Sequence, residues 1–379
     1  MVLDFRVAII LGIFMVVCIS LIIFNLMVTH TNIGHRRASI SARMAQKWRE
    51  ILYKRTARFS GRKNSESQHN KLLLRKLTNA EELVAYSEAL NYMKSEFPDE
   101  YSEYIRDKHT MFQNLANKYS KKSAVERACY ADFVREFPVV AGESYEQLSD
   151  TLISYISNSS NNIHCRTNVV RALCSMGNIN GVVNALQVVN DKQLFIHNHV
   201  LTDELTNFTG DKKDLAKNLW GGALQWSDNL QVSVIQFITR VSCEYREAFL
   251  PVLQDSSTGS HVRIAAIRYY GAYFYEPAND TLAELALESK ATNIAVEAAL
   301  ALTKYPSQVT YDTLRKALNN PEWDIRYNAS AALVGLGDEI DVAEFIENES
   351  DYAKEIVLHM IERKQALLPE EMDGETTSA

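Results

Sequence analysis

Six positions recur along the chain at an almost constant interval. Arg166, Asn198, Gln231, Arg263, Ala295 and Arg326 are separated by 32, 33, 32, 32 and 31 residues. A sustained period between roughly 20 and 50 residues is the mark of repeat architectures. Around each position the apolar residues follow helical spacing, and one period is long enough for two short helices and their turns. Such a pair cannot bury its apolar faces alone, so it must stack on its neighbours. Only 7 prolines and 14 glycines occur in 379 residues, which weighs against an all-β fold built on tight turns. The pattern therefore predicts an all-α chain, an α-solenoid over residues 161–368.

The copy that carries most information is LNNPEWDIRYNASAALVGLGD at 318–338, with Arg326 early in its second helix. HVRIAAIRYYG at 261–271 and CRTNVVRALCSMG at 165–177 repeat the frame, and NIAVEAAL at 293–300 keeps it without the arginine. These segments resemble the HEAT repeat, in the short form found in phycobilisome-lyase-like repeat proteins. The resemblance covers about 160–350 well and 80–160 loosely. It implies that Arg166, Arg263 and Arg326 are structural and bond turn residues such as Asp255 or Asn320. Ala329, Ala332 and Gly335 are expected to let neighbouring helices approach. Ser123-x-x-Glu126 is a capping box that could open a more divergent unit. Residues 71–160 are expected to form a helical cap and divergent repeats. In that stretch Asn79 caps a helix running to Phe97, and Pro98 starts another that extends through Tyr119. Residues 352–368 would close the far end, with 369–379 an acidic, disordered tail.

The N-terminus is of a different kind. Residues 7–28 (VAIILGIFMVVCISLIIFNLMV) carry no charge over 22 residues. As a helix they reach roughly 33 Å, enough for a bilayer core of about 30 Å. A cleaved secretory signal would place its positive charge before a shorter apolar run and a small-residue site after it. Here ten Lys and Arg follow the run within 29–63, against Glu50 alone. That excess predicts a single-pass plasma-membrane protein with residues 1–6 outside and the large domain in the cytoplasm.

Residues 29–70 then read as a basic juxtamembrane helix and a linker. Ile40, Met44, Trp48, Ile51, Leu52 and Phe59 fall on one side of a helix, with Arg43, Lys47, Lys54 and Arg58 flanking. With Arg36 and Arg37, these residues suit the headgroups of an anionic leaflet, Trp48 lying at the edge of the stripe. A solvated charged helix and a helix packed on the solenoid are the competing structural expectations. Nucleic acid is not expected, because the basic segment is tethered beside a bilayer and the remaining body is acidic.

The motifs that carry chemistry do not occur: no Walker A sequence, GxGxxG, GxSxG or HExxH. His197 and His199 are spaced i, i+2, which on a helix points them to different faces and disfavours a shared metal. The five cysteines lack CxxC or zinc spacing and read as reduced, mostly buried thiols. In the aromatic run RYYGAYFY at 268–275, Tyr270 and Tyr273 fall on core positions. No catalytic residue, cofactor or metal is therefore expected. The resemblance implies a scaffold for a membrane-associated protein, with a membrane glycosyltransferase of surface polysaccharide synthesis as the candidate partner class. Arg171, Arg268 and Glu297 are the candidate partner surface. A lipid-surface sensor working through the neck, or a lyase-like or chaperone-like repeat protein, are the competing functions.

Overall fold

Short helices end often, and each end exposes backbone groups that need partners. The sequence supplies these partners locally. Asn79, Ser123, Asn162, Asn178, Asp211 and Ser307 each accept a backbone N–H at a helix start. At Ser123 the capping box is complete, the side chain of Glu126 returning to the Ser123 N–H. At the other end of a helix, Gly177 adopts φ +67° after Met176, the left-handed turn that suits glycine.

The computed structural model describes residues 15, 19–20, 40–54, 63–140, 144–158, 160, 162–287, 291–337 and 350–367. The described residues form helices and no strand, as the all-α expectation requires. They are α1 (40–54), α2 (Lys63–Lys76), α3 (Ala80–Glu96), α4 (Pro98–Arg106), α5 (His109–Tyr119), α6 (Ala124–Glu136), α7 (Ser144–Ser157) and α8 (Ile163–Ser175). There follow α9 (Ile179–Asp191), α10 (Asn198–Thr206), α11 (Lys212–Ala223), α12 (Asp228–Val241), α13 (Arg246–Gln254) and α14 (Ser260–Ala272). The last are α15 (Asn279–Ala286), α16 (Thr292–Ala301), α17 (Gln308–Ala317), α18 (Trp323–Leu336) and α19 (Asp351–Leu367). Among the described residues no helix is long and apolar enough to cross a membrane. The expected span at 7–28 lies outside them except for Met15, Ile19 and Ser20, as do residues 1–6, Arg36, Arg37, Arg58 and 369–379.

Two compact units make up the chain, divided at Met176/Gly177. In the first, α2, α5 and α7 form one layer and α3, α6 and α8 the other, with α5 on α6 and α7 on α8 in contact between them. In the second, α10, α12, α14, α16, α18 and α19 stack in sequence as one layer. The other layer includes the neighbouring pairs α9/α11 and α15/α17. Small residues permit this approach: Ala329 and Ala332 are fully buried. Gly335 is different. A Cβ placed there would meet only Thr303, at 3.7 Å, so close packing does not require glycine.

Several expectations need correction. The segment 63–70, read as a linker, belongs to α2, because His69 is buried and bonds the Tyr104 hydroxyl at 3.1 Å while Leu73 anchors the next turn. The helix from Pro98 breaks at Asp107-Lys108 into α4 and α5. Lys108 falls on the buried stripe there, its ammonium 4.9 Å from the centre of the Tyr104 ring. Asn198 is the first residue of α10, whereas the other recurring positions are fourth in their helices. The turn before α10, with Gln193 at φ 50°, displaces the register by three residues. Of the described cysteines, Cys165 and Cys174 are buried but Cys243 is exposed; all four are free thiols.

The recurring arginines reach the turns as expected, Arg326 meeting Asn320, but through main-chain oxygens instead of turn side chains. Arg326 donates to the main-chain oxygens of Asn320 (2.6 Å) and Pro321 (2.7 Å), and Arg263 donates to that of Leu253 at 3.3 Å. The carboxylate of Asp255 instead accepts from Ser257 and Thr258 in its own turn, which holds its pKa below the ordinary value. Arg127, fourth in α6, is a further member of the series. It is 1% exposed and donates to the Lys122 carbonyl at 2.6 Å. Arg166 is fourth in α8 and half-buried, and burial lowers its pKa; its Nε has no partner among the described residues.

Two predictions follow from this core. Arg127→Ala and Arg326→Ala each remove a charged donor from turn carbonyls and should cost about 1–3 kcal/mol, read by denaturant unfolding. Unchanged stability in both would show that the turns hold without them. The second concerns alkali. Burial raises the pKa of Tyr86, Tyr130 and Tyr155 well above 10, and pushes Tyr269 up to about 12. A pKa raised in the folded state contributes stability below the unfolded value, near 10, and that contribution is lost as pH climbs through the folded value. Stability should therefore fall from about pH 10 upward. These tyrosines should ionise only as the chain unfolds, which tyrosinate absorbance followed beside helix content would show.

Candidate functional site

In the second unit the row α10, α12, α14, α16 and α18 presents a shared face to one groove. Counting from each helix start, positions 2, 5, 6 and 9 of α14 are His261, Ile264, Ala265 and Arg268. This i, i+3, i+4, i+7 set lies along one side of a helix. Val232 and Gln236 on α12, Asn293, Val296 and Glu297 on α16, and Asp324 and Asn328 on α18 occupy equivalent positions. Together with Asn198 and His199 at the start of α10 they line an open groove of about 470 Å³.

Its polar groups are partly spent. Arg268 and Glu297 are ion-paired across α14 and α16, with Arg268 Nε also 3.0 Å from Glu297 Oε2. That bond raises the arginine's pKa. Arg268 is half exposed, so the pair is worth under about 1 kcal/mol and orders the groove wall more than it stabilises the fold. Gln236 Oε1 accepts from Thr202, Asn198 Oδ1 accepts from the His199 N–H, and Asn328 Nδ2 donates to the Asp324 carbonyl. Among the described residues the side chains of Asn293 and His261 bond nothing, and Asp324 pairs with no cation.

The expected partner residues thus separate. Arg268 and Glu297 lie together in this groove. Arg171 belongs to the first unit, where it is half-buried and 3.4 Å from Asn168 Oδ1. The repeat arginines Arg263 and Arg326 face the turns. His197 and His199 stack with ring centres 5.5 Å apart, contrary to the opposite-face expectation, because His197 precedes the helix in extended conformation. No group of three potential ligands capable of holding a metal ion occurs among the described residues. The expected aromatic core holds for Tyr270, fully buried and bonded to the Arg246 carbonyl. Tyr273 is half-buried and bonds that of Thr239. The groove amides stand at different positions of their helices, so neither the arginine frame nor the helix starts single them out in the sequence.

The neck occupies a second site, in the first unit. Trp48 is 1% exposed, its indole N–H donates to Glu82 Oε2 at 2.8 Å, and its ring meets Tyr86 edge-on at 5.2 Å. Ala45 and Leu52 are buried on the same stripe. The stripe thus packs on α3, and Trp48 is not placed to face lipid. Arg43, Lys47 and Lys54 stay exposed on the opposite face, with Glu50 between them. At the start of α1 an apolar pocket of about 380 Å³ is formed by Ile40, Met44, Ala80, Val84, Val125 and Cys129, with Glu81 and Glu126 at its edge.

Trp48→Ala tests the docking. It removes the side chain that joins α1 to α3, at a cost of up to about 3–5 kcal/mol. Amide hydrogen exchange should accelerate across 40–54 while α6 and α8 remain protected. Unchanged exchange in 40–54 would mean that the helix is held by something other than this tryptophan.

No protein-family model matches this chain, and no curated protein is detectably similar to it.

Proposed function

We propose that this protein is a membrane-tethered interaction scaffold with no chemistry of its own. The observation that carries the reading is the groove on α10–α18. A face of one helix register, repeated over five helices, presents polar groups that the fold does not use. Stacked helical repeats characteristically bind partners on such an extended surface.

The uncharged run 7–28 and the ten basic residues after it support an anchor with the body in the cytoplasm. A scaffold held there favours a partner that is itself membrane-associated. The resemblance to membrane-anchored HEAT-repeat proteins makes a glycosyltransferase of surface polysaccharide synthesis the partner class to examine first. The exposed Arg43, Lys47 and Lys54 favour an added contact with anionic headgroups, made by the outer face of α1 instead of its tryptophan stripe.

Crosslinking in intact membranes, followed by quantitative recovery of bound proteins, tests the scaffold. Val296→Arg places a bulky charge in the groove, and Val309→Arg places the same charge on exposed α17. The groove variant should lose about tenfold or more of at least one recovered membrane protein, a loss of about 1.4 kcal/mol. The α17 variant should lose none, and both should melt like the parent. Equal recovery with both variants would remove the groove from the function.

A further inference from the structure

The groove has a chemistry more specific than polar, and we infer that it binds an extended polypeptide segment by its main chain. The inference deepens the scaffold reading and rests on it. Four carboxamides line the groove, one each from α10, α12, α16 and α18: Asn198, Gln236, Asn293 and Asn328. Their internal bonds leave a defined remainder. Asn198 Nδ2 and Gln236 Nε2 are free donors, Asn328 Oδ1 is a free acceptor, and Asn293 keeps both. A carboxamide is the neutral side chain that offers a donor and an acceptor together. That is what a peptide unit requires, since each residue of an extended chain exposes one C=O and one N–H.

The floor fits the same ligand. Val232, Ile264 and Val296 hold the fifth position of three successive helices, an aliphatic strip beneath the amides. A strand sends alternate side chains to opposite faces, so one set lies on the strip while the other faces solvent. The length is also apt. Five helices spaced about 8–10 Å apart span roughly 36 Å, or about eleven residues at ~3.3 Å each. At the α18 end Asp324 meets no cation among the described residues, which favours a Lys or Arg in the bound segment there.

Other ligands fit less well. Glu297 and Asp324 against one already paired arginine disfavour a phosphate backbone. Among the described residues no Trp, Tyr or Phe lines the groove to stack on a sugar or a base. The three aliphatic residues share the groove lining with the four carboxamides, His199, His261, Arg268, Glu297 and Asp324, unlike a surface that enters lipid.

The test pans a random twelve-residue displayed peptide library against the full-length chain and synthesises the enriched sequences. Binding should weaken about tenfold or more in the double variant Asn293→Ala/Asn328→Ala. It should weaken similarly when two central peptide nitrogens are methylated, a change that removes main-chain donors and leaves the side chains. Both amides are surface groups, so the variant should melt like the parent, and Asn293→Gln should restore part of the affinity. The inference is overturned if no sequence is enriched, if the double variant binds equally, or if methylation has no effect. Failure here, with membrane-protein recovery still dependent on Val296, would leave the scaffold standing and show that its partner is not read as an extended chain.

Discussion

A stack of short helices depends on what happens to the carbonyls at its helix ends. In a helix of 9–14 residues the last four carbonyls are a large share of the whole, and none has an intrahelical donor. In this protein long side chains from the next helices supply them. Arg127, Arg263 and Arg326, each fourth in its helix, reach back to the end of the preceding helix or the turn after it. Tyrosine hydroxyls donate to carbonyls as well: Tyr119 to Leu77, Tyr155 to Ala116, Tyr273 to Thr239 and Tyr305 to Tyr270. Each places a ring or a guanidinium stem in apolar contact and its polar tip on a main-chain carbonyl, which at Ala116 also accepts the Ser120 N–H. Tyrosine is therefore abundant in this core, with Tyr86, Tyr104, Tyr119, Tyr130, Tyr155, Tyr269 and Tyr270 all at most 1% exposed. Burial likewise raises the pKa values of Tyr86, Tyr119, Tyr130, Tyr155, Tyr269 and Tyr270.

This division of labour fixes where function can lie. In α12, α14 and α18 the fourth residue bonds the turn or helix end behind it, and the alanines and aliphatics at later positions are committed to the row. Positions 2, 5, 6 and 9 are left over, and they change in character from helix to helix: His261, Asn293 and Asp324 all stand at position 2. A surface whose residues differ between units, on a scaffold whose buried positions agree, is free to acquire specificity without disturbing the stack. The Arg268–Glu297 pair belongs to this surface, joining two neighbouring helices at little energetic cost or gain.

The all-α class, the caps at Asn79 and Ser123 and the frame of the later repeats were legible because they rest on local patterns. Arg127 was not, since it lies 39 residues before Arg166 and breaks the interval near 32 that made the others visible. The register at Asn198 slipped for the same reason, through a left-handed turn at Gln193 that no glycine announced. The groove was half legible. Arg268 and Glu297 were singled out as charges, but nothing in one sequence says that two charges 29 residues apart meet across adjacent helices. The amides carried no signal, because Asn and Gln are ordinary surface residues until four of them share a face.

The neck shows the limit of amphipathicity most clearly. A hydrophobic stripe states which side of a helix avoids water and is silent about what covers it. For α1 two covers compete, a bilayer and a neighbouring helix. Hydrogen bonding separates them: the Trp48 N–H finds the Glu82 carboxylate, a specific charged acceptor that hydrocarbon lacks. The cationic groups then divide. Arg49 lies 4.5 Å from the centre of the Tyr92 ring and Lys76 lies 5.5 Å from that of Trp48, both serving the docked interface. Arg43, Lys47 and Lys54 remain outside it. With its apolar face consumed by α3, α1 could meet a membrane only by charge, at roughly 1 kcal/mol per basic residue close to an anionic surface and less as salt rises. Three such residues offset by Glu50 are a weak hold for α1 by itself. Among the described residues, α1 is thus suited to a charge contact made beside its α3 interface and not to apolar insertion.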